Sequence, residues 1–129
     1  MDNMKTWLTP LGRLLLSSVF IWTGVSQLRD PAGTGQYFEH VHMPGGAAAV
    51  WISIIIHIVF GVALLVGFQT RIAAAVLALF CLGTAFGVHL PAGDFANMIN
   101  FYKNLAMAGG FLYVVAYGAG YLSVDGPSK

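Results

Sequence analysis

Charge is missing from this chain in long blocks. No Lys, Arg, Asp or Glu occurs over positions 40–70, 72–93 or 104–124, and a fourth, shorter uncharged run covers positions 14–28. A helix needs about 20 mostly apolar residues to cross hydrocarbon, so three runs suffice outright. The fourth suffices if its helix begins near Leu8 and carries Arg13 one or two turns inside, where a long basic side chain can reach the headgroups. The expected spans are about 8–28, 46–68, 71–90 and 98–118. With only 9% charged residues and a mean hydropathy of +0.75, a domain of this size could not cover a water-facing surface. The same numbers exclude a basic nucleic-acid-binding face and intrinsic disorder, and a single cysteine excludes a disulfide scaffold.

The punctuation agrees with these spans. Pro10 suits a first helical turn, Asp30-Pro31 stops the first helix, Pro44-Gly45-Gly46 precedes the second, and Pro91-Ala92-Gly93-Asp94 separates the third from the fourth. Lys5 and the apolar stretch after it have the outline of a signal peptide, but Arg13 interrupts it and no small-x-small site follows, so a retained helix is expected. Residues 29–45 are too long for a turn. Phe38, Val41 and the Tyr37 ring there would lie in the membrane interface, with Glu39, His40 and His42 towards water. The expected fold is all-α: a polytopic four-transmembrane-helix up-down bundle forming one domain over 1–129, with an amphipathic segment between helices 1 and 2. Four spans put both termini on one side. Lys5, Arg13, Arg71 and Lys129 fall there, against Arg29 and Lys103 opposite, which favours cytoplasmic termini in a bacterial-type inner membrane.

Polar residues within the spans are costly in lipid and mark the interior. Arg13, Ser17, Gly24 and Gln27 share one face of the first helix; Ser53, His57 and Gly61 follow at i, i+4 and i+8 in the second; Asn97, Asn100 and Asn104 share a face of the fourth, beside Lys103. These faces are expected to converge, because lipid offers them no partners. His57, near mid-membrane, is the candidate proton carrier or ligand contact, weighed against a packing histidine. Lys103 and Asn104 are candidates for a carbonyl or anion, weighed against a snorkelling lysine and a packing amide. Gly83 and Gly87 are expected to pack inside the bundle, and Cys81 to be core. His40, His42 and His89, with Glu39 and Asp94, are the weak metal candidates; their spacing matches no metal motif, so no metal is expected. The chain has no haem histidine pair, no C-x-x-C, no nucleotide-binding glycine motif and no flavin signature.

The chain resembles the DoxX family of small four-helix membrane proteins. The likeness runs from Gly12-Arg13-Leu14-Leu15-Leu16 through Phe20–Gly24, Pro31-Ala32-Gly33-Thr34, Tyr37-Phe38, Met43-Pro44 and the stretch Gly61–Arg71. It continues at His89, at Phe101-Tyr102-Lys103-Asn104-Leu105-Ala106 with Gly109-Gly110, and at the closing turn Gly120–Asp125. Relatives often carry a glutamate where this chain has His57 and a lysine near Gln27; a buried ion pair there would have been neutralised at both partners together. The resemblance implies work beside membrane redox systems, as a subunit or accessory of a quinone-linked oxidoreductase. Quinone or quinol is then the implied ligand, and His57, Asn104 and Lys103 would touch it or a proton path, with Arg13 and Gln27 closing a polar interior that also holds Ser53 and Asn100. Implied partners are the lipid bilayer and other subunits of a membrane redox complex. The alternative is a structural subunit without chemistry of its own, whose segment 29–45 docks a partner.

Overall fold

A computed structural model describes residues 2–127. Among them the regular structure is all helical, without strands: α1 (Asp2–Arg29), α2 (Pro31–His40), α3 (Gly46–Val66), α4 (Thr70–Ala92) and α5 (Phe95–Tyr117). Lys129, counted above among the cytoplasmic charges, lies outside the described residues. Helices α1, α3 and α4 are long and apolar enough to cross a membrane. Helix α5 is long enough, at 23 residues, but Asn97, Asn100, Lys103 and Asn104 in its first three turns lower its hydropathy.

The four long helices form a ring in chain order, α1 against α3, α3 against α4, α4 against α5, with α5 touching α1 again. The core lies between them: Phe20, Leu64, Ala74, Leu77, Ala78, Cys81, Ala108 and Phe111 pack as one cluster. Large apolar residues such as Leu15, Trp22, Ile52 and Leu79 face outward, the arrangement expected of a surface against hydrocarbon. Helix α2 crosses one end of the ring. Asp30 caps it, accepting from the Gly33 N–H at 3.0 Å, and Phe38 anchors it to Val50 and Ile54 of α3.

Three expectations change. Pro10 sits inside α1 rather than in its first turn. The turn before it is held by other bonds: Thr9 donates to the Lys5 carbonyl at 2.8 Å and accepts from the Tyr121 N–H at 3.1 Å. Phe38 is buried against protein instead of lying in the membrane interface. Gly83 and Gly87 are exposed, and a methyl group added at either would meet nothing within 4 Å. The buried stripe of α4 runs through Ala74, Leu77, Ala78, Cys81 and Ala85, and at about 100° per residue positions 83 and 87 turn away from it.

After α5 the chain folds back and locks the α3–α4 turn. The Val124 and Asp125 N–H groups donate to the carbonyls of Val66 (3.0 Å) and Gly67 (2.8 Å). The Asp125 carboxylate then accepts from the Thr70 hydroxyl at 2.6 Å and from the backbone N–H groups of Thr70 and Gln69 at 2.8 and 3.0 Å. It caps α4 from far along the chain, answering N–H groups that have no partner within the helix. The Thr70 hydroxyl first, then the backbone donors, hold this carboxyl below its ordinary range. A depressed pKa in the folded state means the contribution is complete above the ordinary carboxylate range, near pH ~4, and is lost as pH falls through the lowered value. Asp125→Asn is expected to cost about 1 kcal/mol at neutral pH, as other lost caps do. It should also flatten the acid limb of stability against pH, measured by thermal melts in detergent between pH 7 and 3.

Candidate functional site

The converging polar faces meet in one partly open cavity of about 220 Å³ in the half of the ring roofed by α2. Phe20, Thr23 and Gln27 of α1 line it, with Ser53 and His57 of α3, Phe80, Thr84 and His89 of α4, and Asn104 of α5; Tyr37, Phe38, Val41 and Met43 close it from α2 and the loop that follows. Helices α1 and α3 approach closely here because position 24 is glycine. A Cβ on Gly24 would stand 2.6 Å from Ile58 Cγ1 and 2.8 Å from His57 Cβ.

His57 is the deep residue, only 7% exposed. Its ring lies against Phe20 at 5.6 Å and edge-on to Phe80 at 4.9 Å. Nδ1 is 2.7 Å from the Ser53 carbonyl and 3.2 Å from Ser53 Oγ. A carbonyl can only accept, so Nδ1 carries the proton and donates, and Nε2 is left as an acceptor. No partner meets Nε2 among the described residues. Ser53 Oγ donates to Gln27 Oε1 at 3.1 Å, which leaves the Gln27 NH₂ group as a donor. His57 and Gln27 thus stand on either side of one hydroxyl.

Two local backbone features shape the walls. Helix α3 widens to π-helical geometry over Ile56–Phe60, and α4 does so over Ala85–His89. The first carries His57, the second Val88 and His89. Such turns interrupt the regular helical progression and recur at functional sites; the periodicity of the sequence gives no sign of them. On the α5 side, Asn104 Nδ2 donates to Thr84 Oγ1 at 2.7 Å and to the Cys81 carbonyl at 3.3 Å, so its Oδ1 remains an acceptor.

Not every polar candidate reaches the cavity. Asn100 and Lys103 are exposed on the outer side of α5. Arg13 is buried at the opposite end of the ring, donating to the carbonyls of Leu65 (2.7 Å), Tyr121 (2.7 Å) and Leu122 (2.8 Å). The histidines do not assemble: among the described residues no group of three or more His, Cys, Asp or Glu is placed to hold a metal ion. His40 and His42 lie away from this cavity, whereas His89 turns to it. The His89 Nδ1 is 2.8 Å from Asn97 Oδ1, and Asn97 Nδ2 reaches Asp94 Oδ1 at 2.6 Å. That Asn97 amide is the main cause of an Asp94 carboxyl held below its usual range. The reading of spacing alone missed His89 as a cavity residue; its place one helical turn before the α4–α5 break, opposite Asn97, was the available signal.

Residues 8–90 match the family model described as DoxX. The chain is 37% identical over 117 residues to "Inner membrane protein YqjF" of Escherichia coli (strain K12), covering 89% of this chain and 87% of that one. It is 32% identical over 120 residues to "Inner membrane protein YphA" of the same organism, covering 89% and 86%. No solved structure matches the chain.

Proposed function

The chain belongs to the DoxX family and is an integral inner-membrane protein, and from that premise we propose that it serves a quinone-linked membrane oxidoreductase as a subunit or accessory, holding a quinone or quinol ring beside His57. In this reading α1, α3, α4 and α5 all cross the bilayer, with both termini cytoplasmic and the exposed Asn100 and Lys103 of α5 near the membrane surface. The observation that carries it is the single cavity into which three helices send His57, Gln27, Ser53 and Asn104. Its size supports the reading. An apolar cavity of about 150 Å³ accepts benzene, so 220 Å³ suits one substituted ring, and an isoprenoid tail would leave through the open side towards lipid. The lining supports it too: mostly apolar walls with a few convergent polar groups are the usual form of a small-molecule site.

A quinone or quinol supplies two-electron, two-proton redox chemistry wherever it binds. This chain's residues would do the rest. Phe20 and Phe80 flank the imidazole, Ser53 orients it, His57 Nε2 and the Gln27 NH₂ group face the ring's oxygens, and α2 limits the entry of water. Mass spectrometry of the gently extracted protein tests this directly. The wild type is expected to retain one quinone per chain, and His57→Ala to lose at least ~90% of it while its helical melting curve is preserved. Equal retention by the variant overturns the role of His57. A stoichiometric larger complex without quinone in either sample favours the structural-subunit alternative.

A further inference from the structure

We infer that His89 is a second ligand-binding side chain of this cavity, set as a hydrogen-bond acceptor by Asn97 and Asp94, so that the cavity prefers a ring bearing hydroxyls to the same ring bearing carbonyls. The inference rests on the ring-binding reading above and adds to it the redox form that is bound.

The Asp94 carboxylate can only accept, so the Asn97 group facing it at 2.6 Å is the NH₂. Asn97 Oδ1 must then face His89, and the His89 nitrogen 2.8 Å away must be a donor. A neutral His89 therefore carries its proton on Nδ1 and leaves Nε2 as an acceptor. His57 reaches the same state independently, through the Ser53 carbonyl. No carboxylate lines the cavity, and in both neutral rings Nε2 is the nitrogen left for a ligand. Asn104 Oδ1 adds a third acceptor, since both hydrogen bonds of its NH₂ are used. Against these stand the free donors of Gln27 and the Tyr37 hydroxyl.

A carbonyl oxygen accepts only. A dione could answer Gln27 and Tyr37, but against either imidazole it would set acceptor against acceptor. A hydroxyl donates and accepts, so a diphenol can answer both sets. Leaving buried polar groups unmatched is what discriminates most strongly between such ligands.

The test is calorimetric titration of the purified full-length protein in detergent, under anaerobic conditions, with tetramethyl-1,4-benzoquinone and its quinol. The quinol is expected to bind at least ten-fold tighter. His89→Leu should reduce that preference to about three-fold or less, and Asn97→Val, which releases His89 without touching the cavity, should move it the same way and serves if His89→Leu fails to fold. Equal affinities, a tighter dione or a preference unchanged in both variants overturns the inference and leaves the ring-binding reading standing. Binding of neither ring overturns both.

Discussion

Replacing Arg13 with alanine is expected to cost about 4 kcal/mol, the largest loss from any single substitution considered for this chain, on the scale of a broken buried charged arrangement. The guanidinium is 3% exposed and joins three separated segments: it sits on α1 and donates to the carbonyls of Leu65 at the end of α3 and of Tyr121 and Leu122 in the returning tail. The last carbonyls of a helix have no partner within it, and away from water each must find one elsewhere. Removing the side chain leaves three acceptors stranded together. A hydrogen bond from a charged donor contributes about 1.5–3 kcal/mol, and breaking up a buried charged arrangement typically costs about 3–5 kcal/mol. Arg13→Lys should recover only part of this, because one ammonium cannot span two segments that two nitrogens of a planar fork reach at once. Position 67 tightens the same junction: it has φ +73° and a Cβ there would collide with Ser123, so the backbone has little freedom to close around a missing guanidinium. Denaturant titration in mixed micelles measures the effect, and an alanine variant within about 1 kcal/mol of wild type, the size of one ordinary hydrogen bond, would contradict this account.

Arg13 also shows where sequence reasoning reached and where it stopped. That its cost in hydrocarbon must be met, by reaching the headgroups or by joining a polar interior with Gln27, followed from the sequence. That its partners are backbone carbonyls of Leu65, Tyr121 and Leu122 did not, because carbonyls carry no residue-specific signal. The second and third spans, placed at 46–68 and 71–90, lie close to Gly46–Val66 and Thr70–Ala92, since the charge gaps and the flanking glycines and prolines mark their ends. Helix α1 begins at Asp2, well before the expected start near Leu8, because a proline read as a start signal can also sit inside a helix whose neighbouring turn is held from the tail. The convergence of Gln27, Ser53, His57 and Asn104 was legible from helical spacing. Asn100 falls outside the cavity although it shares a polar face with Asn104, because only the Asn104 edge of that face is turned to α4, and spacing within one helix cannot say which edge its neighbour covers. Gly83 and Gly87 mislead for the same reason: a small-residue repeat says that a close approach is permitted, not that it is used.

The pairing of His57 with Gln27 yields the second large effect. His57→Glu alone should destabilise the protein by about 3 kcal/mol, because it buries a carboxylate among Phe20, Phe80 and a neutral amide. Gln27→Lys alone should cost about 2 kcal/mol, bringing an ammonium towards an imidazole that offers no negative charge. Together they should lose no more than about 1 kcal/mol, since each charge then answers the other. Ser53 Oγ stands 3.1 Å from Gln27 Oε1 and 3.2 Å from His57 Nδ1, so the longer reach of lysine allows the two charges to meet directly across a gap now filled by one hydroxyl. The expected coupling is therefore about 4 kcal/mol, at or above the upper range for interacting neighbours. A double variant as unstable as the sum of the singles would mean that the two positions do not face each other. The cycle has a functional arm as well. An ion pair across Ser53 removes both the acceptor Nε2 of His57 and the free NH₂ of Gln27, so the double variant should fold yet lose the co-purifying quinone. Retention of quinone by that variant would move ring binding away from His57 and towards the Asn104 side of the cavity.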